Sequence, residues 1–227
     1  MRPHGIALDR EGNVFVTDAS RHKLLKFRAD GTFVKEWQGT NFPFYGPRDI
    51  AFDAEGRLYI VDQGRTRIVR FNPETEDFFA WGTPGSGDGE FTQPTGIAVD
   101  GGEVYVTDTG NDRVQIFDLD GNFIRQWPVV QWGKDDQTFP DIAFDGITKR
   151  LYVSSGKTTE ILVFDVEGRS IPSVKPVAPY VLNNPSSLFI TNGPNGNRLL
   201  VLNSGSDIPI TGNPSVAIIE LGDASEK

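Results

Sequence analysis

The stretch PTGIAVDGGEVYVTDTGNDRVQIFDLDGNFIRQW, from Pro94 to Trp127, decides how the whole chain is read. Its apolar residues come in short alternating bursts, each closed by an Asp or a Gly. That is the pattern of β-strands separated by tight turns. The stretch PHGIALDREGNVFVTDASRHKLLKFRADGTFVKEW, from Pro3 to Trp37, matches it almost residue for residue. The pattern is therefore a repeat.

Aligned on I-A-x-D, the copies place Asp9, Asp53, Asp100, Asp145 and Thr191 in one position, at spacings of 44, 47, 45 and 46 residues. A period near 45 residues made of four short strands is the signature of propeller blades. In the third copy the strands are predicted at Gly96–Asp100, Val104–Asp108, Arg113–Asp118 and Phe123–Trp127. Turns such as DREGN, DAEGR and DLDGN join them, with Gly or Asn free to take positive φ. The expected fold is all-β, a β-propeller of four-stranded antiparallel blades. Five repeats are visible, at about 3–44, 45–91, 93–138, 139–183 and 184–221, forming one domain before a polar tail at 222–227.

At these residues the chain resembles the NHL-repeat family. The resemblance rests on P-x-[GD]-I-A-x-D, then G-x-x-[YF]-[IV]-[VT]-D, then a basic residue four positions before a Phe. The matches are Asp18 with Lys23 and Phe27, Asp62 with Arg67 and Phe71, and Asp108 with Arg113 and Phe117. The fourth copy departs from the pattern with Ser155 and Glu160, and the fifth with Asn203 and a long insertion at Ser204–Ser215. The resemblance implies a propeller usually of six blades. Five visible repeats thus imply an incomplete or fragmentary ring, or closure on five unequal blades. The last blade is expected to hold at most three strands, leaving an open edge for a loop or a second copy to cover.

Composition narrows the function. A net charge of −9 argues against nucleic-acid binding. There is no Cys, so thiol chemistry is excluded, and no apolar run is long enough for membrane insertion. The first repeat follows Met1 almost at once, leaving no room for a signal peptide, and the turns lean towards an extracytoplasmic domain of a larger bacterial protein.

The d–a and b–c connections of a propeller emerge on one face, here the top. The a–b and c–d turns emerge on the other. Acid crowds the bottom turns, whereas Arg21, His22, Lys23, Arg48, Arg65 and Arg67 stand on the top of the first two blades. The top connections are long and carry Phe42, Phe44, Tyr45, Phe91, Trp132 and Phe139. Long loops on a rigid scaffold, with Arg beside aromatics, are the usual chemistry of recognition. The candidate ligand-binding residues are therefore His4, Arg48, Arg65, Tyr45, Phe91 and Trp132. The periodic Trp37, Trp81 and Trp127 are assigned instead to the wedges between blades.

The first residues of each innermost strand should ring the channel mouth. There Asp49 and Asp141, with carbonyl oxygens, are the candidate ligands for Ca²⁺. Asp18, Asp62 and Asp108 recur with Lys23, Arg67 and Arg113, and this spacing predicts structural ion pairs. No G-x-S-x-G, Walker A or H-E-x-x-H motif is present. The sequence thus predicts a non-enzymatic module that binds a peptide, protein or glycan on its top face. The alternative is a propeller enzyme, a lyase or lactonase-like hydrolase with a divalent metal at the channel mouth.

Overall fold

The computed structural model of the chain describes residues 3–38, 44–132, 139–155, 160–175, 182, 184–193, 196–203 and 216–221. It is an all-β propeller fold built of five successive blade sheets. Blade 1 is β1 (Pro3–Leu8), β2 (Val14–Asp18), β3 (Lys23–Phe27) and β4 (Phe33–Trp37). Blade 2 is β5 (Pro47–Phe52), β6 (Leu58–Asp62), β7 (Arg67–Phe71) and β8 (Phe78–Trp81). A two-residue parallel bridge, β9 (Thr83–Pro84) with β10 (Glu90–Phe91), folds the connection that follows. Blade 3 is β11 (Pro94–Asp100), β12 (Glu103–Asp108), β13 (Arg113–Asp118) and β14 (Phe123–Pro128), within a residue or two of the strands predicted above. Blade 4 is β15 (Ile142–Asp145), β16 (Arg150–Val153), β17 (Ile161–Asp165) and β18 (Ser170–Val174). Blade 5 has three strands among the described residues, β19 (Pro185–Gly193), β20 (Gly196–Asn203) and β21 (Val216–Glu220). The insertion at 204–215 lies outside the described residues, as does Phe42. The chain divides into two compact units, residues 1–125 and 126–227.

Four of the a–b and c–d turns start with an Asp whose carboxylate accepts two backbone N–H groups of its own turn. Asp9 Oδ1 accepts the backbone N–H groups of Glu11 (3.1 Å) and Asn13 (2.8 Å). Asp53, Asp118 and Asp165 repeat the same two bonds in their own turns. These carboxylates satisfy donors that a tight turn would otherwise leave unpaired. The acidity of the bottom turns is thus first a folding device.

Within the first unit, blades pack face to face. Phe15, Leu24 and Trp37 of blade 1 form one buried cluster with Ile50, Leu58 and Ile60 of blade 2. Tyr59, Val61 and Ile68 of blade 2 do the same with Ile97, Val104 and Val106 of blade 3. The periodic tryptophans fill wedges, as expected. Trp81 lies against Gly121, where a Cβ would come within 2.6 Å of the indole, and φ at Gly121 is +83°. In the second unit Trp127 takes the same place over Gly168, where a Cβ would stand 2.4 Å away. Trp37 meets Glu76 instead, and its Nε1 donates to the carboxylate at 3.0 Å.

Candidate functional site: the top of the first two blades

In strand a of the first three blades the ladder shifts register between the Pro and the Ile. In blades 1 and 3 the hydroxyl before the β2 or β12 Asp takes up the N–H displaced there. Thr17 Oγ1 accepts Gly5 N at 2.8 Å, and Thr107 Oγ1 accepts Gly96 N at 2.6 Å. In blade 4 Ser154 Oγ accepts Asp141 N at 2.8 Å. A Cβ on Gly5 would lie 2.5 Å from the Arg48 carbonyl, so the innermost strands of blades 1 and 2 approach as closely as only Gly permits.

Asp49 and Asp141, the candidate Ca²⁺ ligands, carry this inner contact from blade to blade. Asp49 accepts Ile50 N on one oxygen (2.8 Å) and Ile97 N of blade 3 on the other (2.7 Å). Asp141 repeats the arrangement, accepting Ile142 N (2.8 Å) and Leu188 N of blade 5 (2.8 Å). The geometry gives both carboxylates a structural task. Among the described residues no three His, Asp or Glu side chains gather in a way that could hold a metal ion.

The recurring Asp of strand b holds the loop that leads into its own blade. Asp62 accepts Tyr45 N (2.6 Å) and Arg67 Nε (2.9 Å). Asp108 accepts Thr92 N (2.7 Å), Arg113 Nε (2.8 Å) and Asn111 Nδ2 (2.8 Å). The Asp62–Arg67 and Asp108–Arg113 pairs are thus structural and occupy matching register positions. Burial pushes both carboxyls up, against the pull of these donors. In blade 1 the expectation is corrected. Lys23 Nζ meets Glu36 at 2.8 Å, and Asp18 instead accepts Ser20 N and Oγ and Arg21 N. A lysine's single flexible ammonium reaches the neighbouring strand, whereas Arg67 and Arg113 present a planar fork to the Asp. Blade 4 replaces the pair altogether, with Glu160 held by Lys175.

Arg113 also organises the long connection between blades 2 and 3. Its guanidinium donates to the carbonyls of Ser86 (2.9 Å), Gly87 (2.8 Å) and Glu90 (2.8 Å). Phe91, at 0% exposure, is the plug of that loop. Trp132 is equally buried, and its Nε1 donates to Ser154 O at 3.1 Å. Neither ring presents surface to a ligand, because each fills a core position that its loop closes over. Direct ligand contact by Phe91 and Trp132 is therefore not what this structure offers.

The other candidates stand differently. Tyr45 is 55% exposed, and its ring stacks on His22 with centroids 4.6 Å apart and planes 22° from parallel. His22 sits in the left-handed region (φ +57°), and its Nδ1 accepts Gly46 N at 2.9 Å. The Tyr45 carbonyl accepts Gly64 N at 2.8 Å, beside the exposed Arg65. Arg48 is half-buried, with its Nε on Gln63 Oε1, and desolvation brings its pKa down to about 10. His4 is exposed on β1. The d–a connection of blade 2 thus meets the b–c turns of blades 1 and 2, and an aromatic–cationic surface is fixed there by backbone bonds. The sequence reading missed His22 as a site residue. The available signal was that His22 and Tyr45 occupy repeat positions held by Asp112 and Thr92 in blade 3.

Comparison with known proteins bears on the repeat and the fold. The NHL repeat model matches residues 1–27 and 91–117. Protein lin-41 of Caenorhabditis elegans is 62% identical over 45 residues, 19% of this chain and 4% of that protein. The B-box type zinc finger protein ncl-1 of the same organism is 51% identical over 37 residues, 16% of this chain and again 4% of its own length. The chain thus spans a small fraction of the curated relatives it matches. Among solved structures, virginiamycin B lyase from Staphylococcus aureus superposes with a TM-score of 0.63 at 16% identity, covering 96% of this chain and 70% of that one. A protein of unknown function from Bacteroides caccae gives 0.67 at 14% identity, covering 96% and 78%. A chain of the nidogen/laminin complex gives 0.63 at 19% identity, covering 88% and 72%. At such identities these likenesses concern the fold alone.

Proposed function

We propose, from the premise that the chain is built of NHL repeats, that it is a recognition module. In this reading it binds an acidic segment of a protein or peptide on the top of blades 1 and 2. One observation carries it: an exposed Tyr ring stacked on a His, both held by backbone hydrogen bonds, beside exposed Arg21 and Arg65. A pre-ordered aromatic with neighbouring guanidinium groups is the composition of an interface hot spot and loses little entropy on binding. The recurring carboxylates that could suggest acid–base chemistry are engaged in clasping loops and blades. General acid–base catalysis asks for a group poised toward a substrate.

The test is a peptide array of varied charge probed with the 227-residue chain, followed by titration of the strongest binding peptide. Acidic peptides should dominate. Tyr45→Ala should weaken the strongest by about 2 kcal/mol, roughly thirtyfold in Kd, and Arg65→Ala by somewhat less. Glu11→Ala, on the opposite face, should leave it unchanged. Binding that survives Tyr45→Ala and Arg65→Ala but fails with Glu11→Ala would refute the assignment.

A further inference from the structure

Two backbone clasps hold the loops that enter blades 2 and 3. In each, the Asp of strand b accepts one N–H, Tyr45 N for Asp62 and Thr92 N for Asp108. A glycine of the following turn donates back to the same residue, Gly64 N to Tyr45 O at 2.8 Å and Gly110 N to Thr92 O at 2.7 Å. The two clasps are alike, but the one at blade 2 has a further part. His22, from the b–c turn of blade 1, accepts Gly46 N on Nδ1 at 2.9 Å and lays its ring on Tyr45. One blade on, Thr66 stands at the place of His22 and has no ring to offer. All of these groups lie within the compact unit of residues 1–125.

The direction of that hydrogen bond fixes the state of the ring. Nδ1 accepts only while it carries no proton, since an imidazolium has an N–H at both nitrogens. His22 therefore has to be neutral for Gly46 to be held, and imidazole is the side chain that changes charge near neutral pH. The backbone sets the ring in place: His22 lies in the left-handed region at φ +57°, and Gly46 at φ +70°. A Cβ on Gly64 would stand 2.3 Å from the Tyr45 ring, so Tyr45 is seated between Gly64 and the imidazole. Loss of the Gly46 bond opens one side of that seat.

Taking the Tyr45 surface as the ligand site proposed above, we infer that His22 positions it and that protonation of His22 releases it, so that binding weakens as pH falls. The charged and titratable groups around the ring come from both blades. Blade 1 supplies Arg21 and Lys23 of the same turn, Asp18, which accepts Arg21 N, and Glu36, which holds Lys23. Blade 2 supplies Asp62, paired with Arg67, and the exposed Arg65. Asp62 also holds the loop, and burial pushes its carboxyl up, so it is the competing source of a pH response. A protonated His22 would add positive charge near an acidic partner. Salt screens an exposed charge of that kind, whereas a backbone N–H left without its acceptor is costly and unscreened. The lost clasp decides the sign.

The test follows amide exchange by NMR in the ligand-free 227-residue chain from about pH 8 to about pH 5.5, while titrating its two imidazoles, His4 and His22. Protection of the Gly46 amide, corrected for the intrinsic exchange rate, should fall about tenfold as His22 takes up its proton, the loss expected of one hydrogen bond. Protection of Gly110, in the matching clasp of blade 3, should hold. His22→Asn keeps an acceptor, tolerates the left-handed backbone and does not titrate, so it should protect Gly46 at every pH. His22→Gly, unstrained at this φ, should leave Gly46 unprotected throughout. Affinity for the strongest acidic peptide of the array should drop about tenfold over the same range in the parent and stay level in His22→Asn. Gly46 protection that stays constant through the His22 titration would overturn the inference. So would a drop that persists in His22→Asn, which would belong to Asp62, or an affinity that stays level while Gly46 is released. A chain that binds no acidic peptide would refute the ligand reading, whereas the exchange results, which need no ligand, would still decide the clasp.

Discussion

Asp108 shows how one side chain can order several segments. Its carboxylate, at 0% exposure, fixes the loop before β11 through Thr92 N and orients Arg113, which then gathers three carbonyls of the preceding connection. Removing it leaves a nearly buried guanidinium without its counter-charge. Breaking a buried pair in this way is strongly destabilising. Asp108→Ala should therefore lower the unfolding free energy by about 3 kcal/mol, read as a drop in the urea midpoint. Unchanged stability would mean that the three carbonyls suffice for Arg113 and that the pair is dispensable. The Asp–basic spacing was legible in the sequence, but the carbonyl partners were not, because they lie 23–27 residues away in a loop without periodicity.

At the level of the element, the c–d turn of blade 3 joins local backbone chemistry to packing between blades. Asp118 closes the turn on the backbone N–H groups of Asp120 and Asn122, and Gly121 supplies the positive φ. The same Gly lets the Trp81 indole approach the backbone where any Cβ would stand. Gly121→Ala meets both constraints at once, a left-handed φ and a Cβ 2.6 Å from the ring. The expected cost is about 2 kcal/mol, because strain at positive φ adds to displacement of the ring. Gly56→Ala is the control: its φ is +82° but nothing lies within 4 Å of the added Cβ, so it should cost about 1 kcal/mol. Equal thermal shifts for the two variants would show that the indole moves aside without cost. The turn was readable from D-L-D-G-N, whereas the Trp–Gly contact came only with the packing.

Across the molecule, the acidic turns set the response to pH. Hydrogen bonds from Asn122 hold Asp118 below the usual carboxylate range, and the Arg125 guanidinium does the same for Glu103. Asp9 and Asp165 are also lowered: burial opposes the shift, but bonds from Asn13 and Arg169 outweigh it. A carboxyl lowered in the folded state stabilises the fold above its unfolded pKa, and that contribution disappears as pH falls through the folded value. Asp62 and Asp108, raised by burial, act in the opposite sense, but the lowered groups are more numerous. The urea midpoint should hold level near neutrality and fall steeply below about pH 4. Glu103→Gln should be less stable than the parent at neutral pH, with the difference closing in acid. A midpoint that rises into acid would show that the buried pair of aspartates dominates instead.

The sequence by itself determined the repeat, the strands and the turns, because alternation, Asp–Gly turns and a period near 45 residues are local properties that each copy restates. The repeated five-residue spacing also pointed to Arg67 and Arg113 as partners of Asp62 and Asp108, and the pair forms where that position holds an Arg, while Lys23 at the same spacing turns to Glu36. Tertiary structure decided everything that depends on a neighbour. It buried Phe91 and Trp132 and left Tyr45 exposed on His22, although all three rings sit in similar-looking loops. It turned Asp49 and Asp141 to backbone donors in other blades. It also exposed Ile6 where Ile50 and Ile97 are covered, because burial depends on which blade stands alongside and the repeat pattern is the same in all three.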